Sequence, residues 1–136
     1  MKIVLIACAS KKLEEKAKAR DIYSSTLFKL NLKYAKSLNP ERIFVISAKH
    51  GLIDLEQEIE PYDETLNKMK IEDRRLWAEK VLEQLKKNLD IEKDEIIFLA
   101  GKKYREFLIP YIKNYKVPLM GLGIGKQLKF LKENIT

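Results

Sequence analysis

The sequence predicts a three-layer α/β domain, a small, mostly parallel sheet of about four strands flanked by helices. Two observations carry this. Continuous aliphatic and β-branched runs recur at 2–7, 42–47 and 95–100, the composition of strands buried on both faces. Between them lie stretches with apolar residues at helical spacing, and such alternation is the signature of parallel connections. At 136 residues the chain fits one domain, 1–136.

The elements follow in order. Lys2–Ala7 (Lys-Ile-Val-Leu-Ile-Ala) reads as a central strand, ending in the polar segment Cys8–Lys12. A charged, loop-like stretch runs to Asp21. Ser24 or Ser25 caps a helix that continues to about Leu38, with Leu27, Phe28, Tyr34, Ala35 and Leu38 on one face. Asn39-Pro40 stops it. Arg42–Ser47 is the second strand. A long segment from Ala48 to about Lys70 follows, rich in acidic residues, and a loop of that length in a compact domain is usually functional. Residues 71–89 form the clearest helix, with Ala78, Val81, Leu82, Leu85 and Leu89 at helical spacing. Glu95–Ala100 is the third strand, Lys102–Lys113 a helix interrupted by Pro110, and Val117–Met120 a short fourth strand. Gly121-Leu-Gly-Ile-Gly125 leads into a last helix ending near Asn134.

Sheets of this kind bind ligands beyond the carboxyl ends of their strands. Four segments leave those ends: Cys8–Lys12, Ala48–Gly51, Gly101–Tyr104 and Gly121–Gly125. They are expected to share one edge, with Ser10, Lys11, Lys49, His50, Gly101 and Tyr104 lining one pocket. Cys8 beside Lys11 and Lys12 is either an activated thiol or a small apolar residue closing a buried strand, and packing is the commoner role. Ser10 and Lys11 offer a hydroxyl and a cation to an anion. His50 is the sole histidine, so any imidazole step must use it, and Gly51 permits the sharp turn beside it. A backbone-bonded structural histidine is the competing reading. Tyr62 and Asp63 follow Pro61, where Asp63 acts as a base or caps a turn. Gly101-Lys102-Lys103-Tyr104 opens a helix, a setting that suits phosphate or carboxylate. Gly121-x-Gly123-x-Gly125 lacks the G-x-G-x-x-G spacing, so an anion-friendly or tightly packed turn is expected there and not a dinucleotide site. Trp77 reads as packing.

The candidate catalytic residues are therefore His50, Asp63 and Ser10. Candidate substrate-binding residues are Cys8, Lys11, Lys12, Lys49, Gly51, Tyr62, Gly101, Tyr104 and Gly123. One His and one Cys make a poor metal set, and neither a metal nor a cofactor is implied.

Lys and Arg exceed Asp and Glu by a net +7. Residues 1–50 carry 11 basic and 4 acidic side chains, 51–100 carry 8 and 14, and 101–136 carry 8 and 2. Basic ends meeting in space would make a cationic face for nucleic acid or a phosphorylated metabolite; plain solubilisation by lysine is the alternative. A single cysteine excludes an internal disulfide. The apolar run before Cys8 is too short for a signal peptide, and no stretch approaches a membrane span, so a cytoplasmic location without membrane contact is expected.

Together, Ala7-Cys-Ala-Ser-Lys-Lys12, Tyr23-Ser-Ser25…Phe28, Ser47-Ala-Lys-His-Gly-Leu52, Pro61-Tyr-Asp-x-x-Leu66, Gly101-x-x-Tyr104 and Gly121-x-Gly-x-Gly125 resemble a small bacterial and archaeal domain family. Through the first of these segments that family is distantly similar to the YaaA peroxide-stress proteins and the archaeosine synthase core domain. The resemblance implies a uracil-DNA-glycosylase-like fold and a nucleobase or nucleotide site at the carboxyl edge of the sheet. The Gly-Gln-Asp-Pro-Tyr and His-Pro-Ser-Pro motifs of uracil glycosylases do not occur in the sequence. Three functions are compatible with these residues. One is a nucleobase-directed enzyme that cleaves an N-glycosidic bond or modifies a base in DNA or tRNA. The others are a non-catalytic nucleic-acid-binding module and a small-metabolite enzyme or sensor.

Overall fold

A computed structural model describes residues 1–135. In chain order it contains β1 (Lys2–Ala7), β2 (Ala17–Lys18), α1 (Ala19–Ile22), α2 (Thr26–Ser37), β3 (Arg42–Ser47), β4 (Gly51–Asp54) and β5 (Glu58–Ile59). These are followed by α3 (Ile71–Asn88), β6 (Glu95–Leu99), α4 (Lys102–Arg105), β7 (Tyr115–Lys116) and α5 (Ile124–Asn134). The main sheet has five strands in the order β4-β3-β1-β6-β7. β1 runs parallel to β3 and β6, β6 parallel to β7, and only β4 is antiparallel. β2 and β5 form a separate two-stranded ribbon.

β1 is central because it is apolar on both faces. Ile3 and Leu5 enter the core beneath α3, with Val81, Leu85 and Phe98. Val4 and Ile6 enter the opposite core beneath α2 and α5, with Phe28, Ala35 and Leu131. The alternation follows from the two-residue period of a strand and makes the three layers. From β1 the chain goes to β3 on one side, then crosses back to β6 on the other. The winding therefore reverses at β1, and a crevice opens between the carboxyl ends of β1 and β6.

The expected α/β class and mostly parallel sheet hold, with local differences that have physical causes. Val117–Met120 is a turn, closed by Met120 N–H to the Val117 carbonyl. Pro118 lacks an N–H and restricts Val117, so pairing with β6 passes to Tyr115 and Lys116. The helix expected over Lys102–Lys113 is a single turn, continued by i→i+3 bonds through Ile109–Tyr111, where the ring of Pro110 is incompatible with an α-helical ladder. The long segment after Ser47 is not one loop: it folds back as β4, then contributes β5. The stretch before Asp21 contains β2 and the start of α1. α2 begins on Ser25, whose hydroxyl accepts from Phe28 N–H, and stops at Asn39, which takes a left-handed φ of 52° ahead of Pro40.

The β3–β4 hairpin depends on Gly51, at φ 71°. A Cβ there would also collide with Gln84 Oε1, which accepts from Leu52 N–H at 2.8 Å. Gly51→Ala is expected to lower stability by about 1–3 kcal/mol in urea unfolding, from left-handed backbone strain and displacement of Gln84.

Candidate functional site

The parallel connections bring the ends of β1, β3, β6 and β7 to one edge, and the sequence-predicted residues gather there in two groups. The first lies at the ends of β1 and β3 around Tyr62, buried at the centre of a chain of hydroxyls. Ser47 Oγ donates to Tyr62 OH at 2.8 Å, and the Tyr62 and Tyr23 hydroxyls share a hydrogen bond of 2.6 Å. Ser47 Oγ also accepts from Lys49 N–H and His50 N–H, while its carbonyl accepts the Trp77 indole N–H at 2.9 Å. Ser47 is fully buried, and every one of these bonds is internal to the fold. Burial pushes the Tyr23 and Tyr62 hydroxyls well above the ordinary tyrosine range, so both stay neutral.

Lys12 lies over this group, its Nζ 4.3 Å from the Tyr62 ring centroid and 3.3 Å from the Ser10 carbonyl. Burial lowers its pKa from the lysine range, against the opposing charges of Asp63 and Glu64. His50 meets the Tyr62 ring edge-on, centroids 5.5 Å apart. Its backbone, not its imidazole, makes its hydrogen bonds: N–H to Ser47 and carbonyl from Gln84 Nε2. Nε2 is buried without a partner. Burial, then Lys49 and Lys80, lower the imidazole pKa from 6.5. Ser10, Lys11, Lys49 and Asp63 are exposed around the group.

The second group lies at the crevice between β1 and β6. Cys8 Sγ is 3.4 Å from Tyr104 OH, which also accepts from Leu66 N–H at 3.3 Å. Burial pushes the Tyr104 hydroxyl up to about 12, so it acts as a neutral hydrogen-bonding group. Trp77 meets Tyr104 edge-on at 5.7 Å and thereby ties the two groups together. Trp77 is packing, as expected.

Beside Cys8 and Tyr104 opens a cavity of about 350 Å³. Ala7–Ala9 and Leu99–Gly101 form its strand-end walls, and Ser25, Leu27, Phe28 and Asn31 its α2 wall. Lys102, Lys103 and Arg105 bring cations, and among the described residues no carboxylate lines it. Arg105 Nη1 donates to the Ala100 carbonyl at 2.7 Å, and among the described residues its guanidinium pairs with no acid. Of the predicted residues, Cys8, Gly101 and Tyr104 line this cavity; Ser10, Lys11, Lys49 and His50 do not. The single expected pocket is thus two adjoining groups, because Trp77, bonded to the Ser47 carbonyl and edge-on to Tyr104, stands between them.

Other expectations change with the geometry. α4 is one turn long, too few peptide units for a useful dipole, so anion attraction at Gly101 rests on its side chains. Gly123 caps α5 but is exposed and outside the cavity, and a Cβ there would meet nothing within 4 Å. Only Gly121 in that triplet has a positive φ, 81°. The sequence reading missed Ser47, Tyr23, Asn31 and Arg105. Asn31 had a signal: it sits three residues after Phe28 and four before Ala35, a polar break in the apolar face of α2. Among the described residues no cluster of three His, Cys, Asp or Glu side chains is placed to hold a metal, and no helix is long and apolar enough to cross a membrane.

Fold and site define a three-layer α/β domain with a cation-lined cavity at the reversal point of a mostly parallel sheet. The chain belongs to a family of unknown function, DUF6884, which it matches over residues 3–133. No curated protein and no solved structure matches it.

Three measurements check the first group. Because the folded imidazole resists protonation while the unfolded one titrates near 6.5, the unfolded state binds more protons just below that pH, and stability falls as pH drops through it. The single Hε1 resonance should titrate below 6.5, and His50→Gln should flatten that part of the stability–pH profile. Ser47→Ala leaves Tyr62 OH and two backbone N–H groups short of a partner and should destabilise by about 1–3 kcal/mol in chemical denaturation.

Proposed function

We propose that this chain binds a nucleotide, its base against α2 and the ends of β1 and β6, its phosphate against Lys102, Lys103 and Arg105. The observation that carries this reading is the cavity at the winding reversal, lined by three cations and no carboxylate. Its walls differ in character. Leu27, Phe28, Leu99 and Leu119 are apolar and suit the faces of a planar base, while the cations suit a phosphate. Arg105 is already held by the Ala100 carbonyl, so little side-chain freedom is lost when it meets an anion. The first turn of α2, with no acidic residue, adds positive potential. The resemblance of Ala7–Lys12 to the segment after the first strand in the YaaA and archaeosine synthase group implies the same ligand class.

Cys8 and Tyr104 bring a thiol and a phenol hydroxyl to the strand-end side of the cavity. Cleavage of an N-glycosidic bond requires a group that activates water or stabilises a developing cation, and among the described residues no carboxylate or imidazole lines the cavity. Binding or modification of the base fits the lining better than its excision.

Titration calorimetry with nucleoside monophosphates, nucleosides, inorganic phosphate and a single-stranded oligonucleotide tests the reading. A monophosphate is expected to bind more tightly than its nucleoside or phosphate alone. Arg105→Gln should weaken the monophosphate roughly 10- to 150-fold, the range for a lost charged hydrogen bond, and leave the nucleoside unaffected. Tight binding of the oligonucleotide alone points to a base presented by a polymer. No binding of any of these ligands rejects the reading.

A further inference from the structure

Asn31 breaks the apolar face of α2 and is only 6% exposed. It lines the cavity, and its Oδ1 is buried with no hydrogen-bond partner among the described residues. A buried amide oxygen without a donor is a desolvation penalty that the fold leaves uncompensated. The contrast with Ser47, whose hydroxyl is engaged by several partners, is sharp: one group holds the fold together, the other is left open. Leu or Met at this helix position would add apolar burial and carry no such penalty. The amide also stands on the wall carrying Leu27 and Phe28, away in sequence from the α4 cations.

We propose that Asn31 is the specificity-determining residue of the cavity and reads the edge of a nucleobase. With the amide turned into the cavity, Oδ1 accepts an N–H from the ring or its exocyclic amino group, and the amide N–H donates to the neighbouring ring nitrogen or carbonyl. The ligand chemistry is therefore a heteroaromatic ring with a donor and an acceptor side by side, an arrangement that an asparagine amide matches in two hydrogen bonds. This rests on the nucleotide reading above and adds to it the residue that chooses the base. A site built to bond an N–H rejects a ligand without one, because its own polar group then stays unpaired.

The test compares AMP, CMP, GMP and UMP with ribose 5-phosphate, which carries the phosphate and no base edge, on wild type, Asn31→Leu and Asn31→Ala. Wild type is expected to prefer one nucleotide, and both variants to lose about 5- to 150-fold in affinity for it, the worth of a bidentate amide–base pair. Ribose 5-phosphate affinity should not change. Asn31→Leu should melt at or above the wild-type temperature, since it removes an unsatisfied group from an apolar wall. If both variants keep the wild-type preference, the assignment of Asn31 is overturned and nucleotide binding stands. A clear fall in melting temperature in both variants overturns it too, showing the amide to be a structural partner. Absence of nucleotide binding by wild type rejects the underlying reading before any variant is compared.

Discussion

The winding of the chain reverses at β1, and the candidate site exists because of it. β1 is apolar on both faces, so it must be covered on both, which forces it into the middle of the sheet with helices above and below. Once β3 has paired on one side, β6 can reach β1 only on the other. The segments leaving β1 and β6 then diverge toward different layers. No backbone fills the gap at their carboxyl ends, and the cavity occupies it.

Polar groups at this edge fall into two kinds. Ser47, Tyr62, Tyr23 and Tyr104 have hydroxyls engaged within the fold, and burial keeps the tyrosines neutral. They brace the ends of β1 and β3 against α3 through Trp77 and leave these loops little freedom. Asn31 Oδ1 and the Arg105 guanidinium are different: among the described residues the first has no partner, the second only a backbone carbonyl. Rigid, internally satisfied groups beside open ones are what a preformed binding site requires. The same division explains His50. Its backbone belongs to the bracing set, while its imidazole, pressed on Tyr62 and flanked by lysines, is kept neutral near physiological pH.

Strands and helices whose stability comes from their own period were legible in the sequence. β1 and β3 match the apolar runs, and α2 and α3 match the helical spacing to within a residue or two. Elements too short to carry a period were not. β4 was hidden because a four-residue antiparallel strand has no period long enough to read, and it forms by folding back on β3. β7 pairs only at Tyr115 and Lys116, because Pro118 has no N–H and restricts Val117, which bars the apolar residues beyond.

For the site, the sequence alone determined the edge: alternating strands and helices send every strand-end loop to one side, so Cys8, His50, Gly101 and Tyr104 were all on it. It also determined the cationic character, since three basic residues cluster at 102–105. Which of those residues share a cavity was decided only by tertiary packing. Trp77 of α3 wedges between the end of β3 and Tyr104 after β6, and no local pattern encodes where an aromatic ring from a distant segment will stop. Nor could the sequence say that Asn31 would be left without a partner, because an unsatisfied amide is defined by everything packed around it, and that exists only when the chain is folded.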